Sequence, residues 1–387
     1  MGGATQSLLG LVKHAQQKGL RCKVLFLQHE GNAIERYREE GIDVMLHSTI
    51  YSYAHAYGAY NKLISRRPWR VVTNLVKAFR STDTIRQLLV QEQPRLVYLN
   101  TSVLIPCARA AHQLKIPVIW HLREQLHNGY LGLRKKMVQQ LFAKYANRII
   151  AISEVNANTL NVPGTQVVYN SVDFSVFSRD LDSNNFKQEY NLSDGIHFAF
   201  IGGRVLSKGA DIAVEAFSHI LSQYPQANLI IAGPFHTDTT LPMNRIEKKV
   251  EALCASNPIL KKALRFTGPL PQVAPVLASC DVLLWSATTP HFARPIMEAM
   301  VMGKPVIASR FLSSEEIVSH EKEGLLVAPT VTEIAEAMRW MIEHPKERTH
   351  MGKAGYEKVR HLFNGDLPCR EIRCPSNVIT LSTSKTN

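Results

Sequence analysis

No apolar run in the 387-residue chain approaches the roughly 18 residues that a membrane-spanning helix needs. The N-terminus, MGGATQSLLG, lacks the charged-then-apolar layout of a signal peptide, and Gln6 stands where N-myristoylation requires Ser or Thr. A cytoplasmic protein is therefore expected. Cysteine is sparse and unpaired in spacing. Cys22, Cys107, Cys254, Cys280, Cys369 and Cys374 form no CxxC, which argues against a structural zinc site or a disulfide framework and for reduced, mostly buried thiols. Also missing are an HExxH helix, a GxSxG elbow, the helix-turn-helix, zinc-finger and aromatic RNP patterns of nucleic-acid binders, and any repeat with a period of roughly 20 to 50 residues. Asp180-Leu181-Asp182 has the DxD form of some metal sites, but it stands in a polar stretch away from any strand end and reads as solvated linker. No protein-bound metal and no nucleic-acid partner are expected.

What is present is enough apolar material to fold. Hydrophobic residues make up 45% of the chain and charged ones 20%, and at about 150 residues per domain the length suggests two domains or one large one. The net charge of +13 is lopsided: residues 1–175 hold 22 Lys/Arg against 10 Asp/Glu, while 176–387 hold 23 against 22. The densest clusters are Arg66, Arg67 and Arg70 around Trp69, then Lys77, Arg80 and Arg86, and later Arg134, Lys135 and Lys136. Such a surface suits an anionic membrane face, a phosphorylated acceptor or nucleic acid, and solvated helix faces remain the plainer reading of any one cluster.

Short β-rich runs at 23–27, 96–99, 118–120, 148–152, 197–201, 228–232, 282–285 and 306–308 read as buried parallel strands. Helix-period segments at 6–17, 84–93, 108–114, 211–222, 296–302 and 334–343 alternate with them, which argues for an α/β protein with parallel sheets covered on both faces. The pattern weakens over a polar stretch near 172–194. The expected organisation is an N-terminal domain over 1–175, a linker at 176–194, a second doubly wound domain over 195–363, and an irregular tail at 364–387.

Two constellations carry chemistry. The run HFAFIGG ends in Gly202 and Gly203, followed by Arg204, a short turn, Lys208 and Gly209. In open α/β sheets ligands bind at the carboxyl ends of strands, where two glycines allow close backbone approach and Arg204 and Lys208 offer a fork and a point charge to a diphosphate. The spacing fits neither a Walker A loop nor GxGxxG, so an ordinary βα turn is the competing reading. The second is FARPIMEAMVMGKPVIAS at 292–309, where Pro295 suits the first turn of a helix whose N-terminus favours an anion. Glu298 near that turn can accept hydrogen bonds from a sugar diol or simply interact with the helix end.

In order, GGRVLSKGADIAVEAF, LIIAGP, LRFTGPL, CDVLLWSATTPHFARPIMEAMVMGKPVIAS and EGLLVAP resemble the C-terminal domain of the family 4 glycosyltransferases of the GT-B fold. Gly2-Gly3-Ala4 opening a helix, WHLRE at 120–124, IIAISE at 149–154 and VYNSVD at 168–173 are similar to the same family's acceptor domain. The resemblance covers about 1–363. It implies two Rossmann-like domains facing across a cleft, and retaining transfer of a sugar from a nucleotide-diphosphate sugar, a co-substrate rather than a permanently bound cofactor. The acceptor would be a glycan or polyprenyl-linked glycan of the cell surface, reached at the cytoplasmic membrane face through the basic first half. By position, Arg204 and Lys208 match the groups that neutralise the diphosphate, and Gly202 and Gly203 the turn beside it. Glu298 matches the second glutamate of a pair that holds the ribose, and Ala293, Arg294, Pro295 and Ile296 match the stretch whose backbone meets the donor. Gly2 and Gly3 match a glycine loop near the phosphates, and His121 resembles the histidine beside the reacting sugar carbon.

This chain departs from the pattern in three places. Pro290 stands where the pair has its first glutamate, and Ala293 replaces a glycine. The chain starts at the glycine loop, so the family's first strand, which occupies the middle of the first sheet, is expected to be missing from an open reading frame incomplete at its start. Beyond Phe363, where the family continues as a helix, Pro368, Pro375 and LSTSKTN predict no helix. A sugar-nucleotide epimerase on the same architecture and a catalytically silent glycan- or partner-binding protein are the alternative readings.

Overall fold

The computed structural model describes residues 3–27, 32–48, 50, 68–126, 128, 130–170, 172–192, 194–235, 243–362 and 378–382, with backbone alone at 32, 68–75, 130 and 378–382. The chain forms two compact units, Met1–Ser171 with Asp366–Asn387, and Val172–Gly365. Gly2, Arg66, Arg67, Cys369 and Cys374 lie outside the described residues.

The first unit is built on a seven-stranded, wholly parallel sheet. In chain order its strands are β1 (Cys22–Phe26), β2 (Asp43–Leu46), β3 (Leu96–Leu99), β4 (Val118–Leu122), β5 (Arg148–Ala151) and β6 (Gln166–Val167), joined by a strand from the far end of the chain. Their residues alternate between two cores. Leu25, Val97, Leu99, Val118 and Trp120 pack on one face with Phe142 and Leu104, while Val24, Phe26, Tyr98, Ile119 and Ile150 pack on the other with Leu8 and Tyr37. Burial on both faces is why these strands read as continuous apolar runs.

The second unit holds a six-stranded parallel sheet of β7 (His197–Ile201), β8 (Asn228–Ala232), β9 (Leu264–Gly268), β10 (Val282–Trp285), β11 (Val306–Ser309) and β12 (Gly324–Val327), in the order β12-β11-β10-β7-β8-β9. From β7 the chain runs outward to β8 and β9, then returns to place β10 on the other side of β7. The order therefore reverses between β7 and β10, the point at which doubly wound sheets open a crevice beyond their strand ends.

Two expectations are corrected. The tail was expected to be irregular and the middle of the first sheet empty. Instead Val378–Ser382 forms β13, which lies parallel between β1 and β3 in the order β2-β1-β13-β3-β4-β5-β6. Val24 and Tyr98 both register with Thr380, and Leu25 and Leu99 both with Leu381. The physical reason is the demand of β1 and β3 for ladder partners, met by a run, VITLS, of high strand propensity.

The stretch 176–194, expected to be the linker, packs on the second unit. It carries the helix Asn184–Glu189, whose Phe186 is buried and stacks on Tyr190, while Arg265 donates from Nε to the Tyr190 carbonyl at 2.7 Å. Arg179 lies over the Tyr356 ring at 4.7 Å.

Candidate active site

In the second unit the loops after β7 and β10 meet at the strand-order reversal. After β7, Gly203 takes φ +55°, and a Cβ there would sit 2.4 Å from the Pro234 carbonyl oxygen, so only glycine fits. A 3-10 turn, Leu206–Lys208, then leads to Gly209 at φ +73°, where a Cβ would fall 2.0 Å from the Ser286 carbonyl oxygen. Gly209 thus lets the start of the helix Ala210–Ile220 lie directly on the loop after β10. Ser286 Oγ donates to the Gly209 carbonyl at 2.8 Å, and Thr288 N donates to the Ser207 carbonyl at 3.0 Å.

Lys208 is the centre of this junction. Its Nζ lies 4.0 Å from the centroid of the Trp285 ring and 2.6 Å from His291 Nε2. Among the described residues it has no carboxylate within ion-pair distance, and burial pushes its pKa down to about 7. Burial first and the neighbouring lysine second lower the His291 pKa to about 4.

Arg204 leaves the same loop and ion-pairs with Glu247 at 3.5 Å. Glu247 is wholly buried and takes part in the capping box of the helix Arg245–Ser256, accepting from Asn244 N at 2.7 Å, and Asn244 Nδ2 in turn donates to the Arg204 carbonyl at 2.8 Å. The guanidinium is therefore held by the start of a neighbouring helix.

The helix Arg294–Val301 starts at Ala293 with Pro295 in its first turn. Ala293 has φ −99°, outside the left-handed region, so alanine in place of glycine strains nothing here. Arg294 Nε donates to Glu298 Oε1 at 2.6 Å, one turn along the helix. Burial raises the Glu298 pKa even though Arg294 opposes it. Pro290 is exposed in the loop that carries His291.

In the first unit the carboxyl ends of β3 and β4 gather a second polar cluster. His121 is buried, its Nδ1 hydrogen-bonds to the Tyr98 hydroxyl, and its Nε2 has no hydrogen-bond partner among the described residues. Burial, with Arg123 adding to it, holds its pKa well below the usual histidine value, so the ring is an uncharged imidazole. Glu124 accepts from Thr101 Oγ1, from Ser102 N at 3.1 Å and from Ser102 Oγ at 3.0 Å. Arg123 donates from Nε to Asn100 Oδ1 at 2.7 Å and also to Asn170 Oδ1, while Asn100 Nδ2 donates to the Ala4 carbonyl at 3.1 Å. Gly3 opens the helix Gly3–Gln17 in this same unit.

Of the residues singled out from sequence, the fold brings Gly202, Gly203, Arg204 and Lys208 together at one loop, with Arg294 and Glu298 paired on the helix after β10. His291 and Trp285 beside Lys208, and Asn100, Thr101, Ser102, Arg123 and Asn170 around His121, went unnoticed. The only sequence signal for the latter group was that Arg123 and Asn170 belong to the quoted WHLRE and VYNSVD runs. Among the described residues no three His, Cys, Asp or Glu side chains converge as metal ligands.

Against known proteins, the family model for glycosyl transferases group 1 matches 182–358, and that for Glycosyltransferase Family 4 matches 1–176. This chain belongs to the family 4 glycosyltransferases. The enzyme is 25% identical over 308 residues to the alpha-1,3/1,6-mannosyltransferase ALG2 of Dictyostelium discoideum, covering 71% of this chain and 73% of that protein. It is 21% identical over 278 residues to the capsular polysaccharide biosynthesis glycosyltransferase CapM of Staphylococcus aureus, covering 68% and 70%. HepE of Anabaena, solved with UDP-glucose, superposes with a TM-score of 0.77 at 19% identity over 96% of this chain and 94% of that one, which gives the glycosyltransferase the GT-B fold.

Proposed function

We propose that this glycosyltransferase moves a sugar, with retention of anomeric configuration, from a nucleotide-diphosphate sugar to a glycan or polyprenyl-linked acceptor in cell-surface polysaccharide synthesis. The observation that carries the reading is the junction of the β7 and β10 loops, where Lys208 has no carboxylate partner among the described residues and Arg204 stands in the same turn. A departing diphosphate gains charge as the glycosidic bond breaks, and fixed cations beside the N-terminus of Arg294–Val301 stabilise that charge without reorganising. Glu298 holds the ribose hydroxyls, and the backbone at Ala293, Arg294, Pro295 and Ile296 meets the donor. For the first unit the reading keeps the roles the resemblance implies, Gly2 and Gly3 as a phosphate loop and His121 as a neutral hydrogen-bonding group for the sugar, its imidazole being uncharged. A donor phosphate oxygen takes the acceptor proton, so no protein base is needed.

HepE with UDP-glucose and the relation to CapM make UDP-sugars and surface-glycan acceptors the first pairs to test. The experiment is a donor panel with lipid-linked acceptors, the product's anomeric configuration being read by NMR. Retention supports the reading, and inversion overturns it. Conversion of donor without acceptor would make the enzyme an epimerase, and no turnover with any donor would favour a silent binding protein.

Glu298→Gln should raise the Kd of every nucleotide that binds, since a neutral amide accepts weaker hydrogen bonds from ribose than a carboxylate does. Pro290→Ala should matter less. Calorimetry measures both, and unchanged binding in Glu298→Gln would leave Glu298 only its contact with Arg294.

Attachment to anionic bilayers through the first unit is part of the same proposal. Lys77, Arg80 and Arg86 are exposed on the helix Pro68–Glu92 together with Val76 and Phe79. Leu131 and Leu133 are 91% and 71% exposed next to Lys135 and Lys136. Each basic residue near such a surface contributes about 1 kcal/mol, screened by salt. Flotation with phosphatidylserine vesicles should recover the protein at low salt and lose it at high salt. Equal recovery with neutral vesicles would sink the idea.

A further inference from the structure

The lysine at the β7–β10 junction is held by a residue that the donor-site assignment does not use. His291 Nδ1 lies 2.8 Å from the Thr289 carbonyl oxygen. A carbonyl only accepts, so Nδ1 carries the ring proton and Nε2 is left as a lone-pair acceptor. Lys208 Nζ, 2.6 Å away, donates to that lone pair, and the Trp285 ring, tilted against His291 at a centroid distance of 5.1 Å, closes another side of the amine. Lysines this enclosed normally sit against a carboxylate. Here the partner is a neutral ring, next to Pro290, where the family resemblance places a carboxylate.

We infer that His291 is a positioning residue for Lys208, accepting one N–H of the ammonium so that the charge is aimed without being neutralised and remains for the donor's diphosphate. A carboxylate in the same place would compete with the incoming anion, whereas a neutral acceptor only fixes direction. The charged groups on the surrounding elements are paired among themselves: Arg204 with Glu247, Arg294 with Glu298, and Asp211 with Lys249. Lys208 and His291 therefore face each other as the titratable pair of the junction. Lys208 is partly deprotonated near neutrality because it is enclosed, and an arriving diphosphate draws a proton onto it. His291 stays neutral throughout, its own pKa lying near 4. The inference rests on the donor-site reading of Lys208 made above.

The test is calorimetric titration of the full chain with UDP from pH 6 to 8.5, in buffers of different ionisation enthalpy. Lys208→Met supplies the profile due to UDP's own terminal phosphate. The parent should take up protons beyond that profile above pH 7 and lose affinity as pH rises. His291→Phe, which keeps a ring but offers no acceptor, should bind UDP roughly tenfold more weakly at pH 7.5, in line with one lost hydrogen bond to a charged group, and its affinity midpoint should move to lower pH. His291→Gln, able to accept through its amide oxygen, should restore most of both. His291→Leu repeats the comparison if the phenylalanine variant does not fold. Wild-type affinity and pH profile in the Phe or Leu variant, with Lys208→Met impaired, overturns the inference alone. Wild-type UDP binding by Lys208→Met removes the donor-site reading, and the inference with it.

Discussion

Lys208→Met should cost the enzyme about 2 to 4 kcal/mol of transition-state stabilisation, a fall of roughly 30- to 1000-fold in kcat/KM, because it deletes a preorganised positive donor from developing phosphate charge. It should not destabilise the free protein. The Lys208 pKa is depressed to about 7 from its ordinary value of 10.5, so between those two values the unfolded chain binds more protons than the folded one. The contribution of Lys208 to folding stability therefore rises with pH across that window, while affinity for a diphosphate falls across it as the ammonium is lost. Lys208→Met should remove the lysine's share of both slopes. Urea midpoints at pH 7 and pH 9 beside kcat/KM at the same values make the check, and unchanged turnover would show that the lysine does not meet the donor. Arg204→Ala should fall as far in activity, but it also strips the wholly buried Glu247 of its cation, so its loss of folding stability has to be measured alongside.

This opposition of slopes separates a binding lysine from a structural one. A lysine that supports the fold through an ion pair has a raised pKa, as Lys23 does between Glu92 and Asp43. The stability Lys23 contributes is present below the unfolded-state pKa and is lost as pH rises through the raised value. Lys208 behaves in the opposite sense. Its enclosure costs folding free energy, and on the proposed donor-site reading the compensation comes with the ligand.

The strand-and-helix plan was legible because parallel strands buried on both faces leave an uninterrupted apolar signature. Leu96–Leu99, His197–Ile201, Asn228–Ala232 and Val282–Trp285 stand where the sequence places them. The half-exposed Asp43–Leu46 and the two-residue Gln166–Val167 went unread, since edge strands of that length carry too few buried positions to show a period. The Gly202–Gly203–Arg204 turn was legible from its glycines. The contact of Lys208 with His291 was not. It joins residues 83 positions apart and exists only because the strand order reverses between β7 and β10, a property of topology that no local pattern encodes. For the same reason WHLRE was visible as a motif while the contacts of Arg123 with Asn100 and Asn170 were not, since they span separate strand ends.

Thr380→Pro should unfold or severely loosen the first unit while leaving the second intact. Thr380 is the middle residue of β13, and β13 is flanked on both sides, in register with Val24 of β1 and Tyr98 of β3. Whichever neighbour its amide faces, that N–H is part of a ladder, and proline removes it. The carbonyl it served is left buried and unpaired at about 1 to 3 kcal/mol, and the ring pushes the adjacent strand away. The effect should spread, because β1 and β3 pack both cores of the unit through Val24, Leu25, Val97 and Tyr98, and no other described strand lies between them. The carboxyl end of β3 also carries Asn100, Thr101 and Ser102, so shifting it displaces the hydrogen bonds that hold Arg123 and Glu124. Hydrogen exchange followed by peptide mass spectrometry separates the two units. Amides of 22–26 and 96–99 should lose protection in Thr380→Pro and keep it in Thr380→Val, which retains the N–H, while amides of 197–201 and 282–285 stay protected in both. Full protection of 22–26 and 96–99 in the proline variant would mean that β1 and β3 do not depend on β13, and that the tail strand is not what completes the sheet.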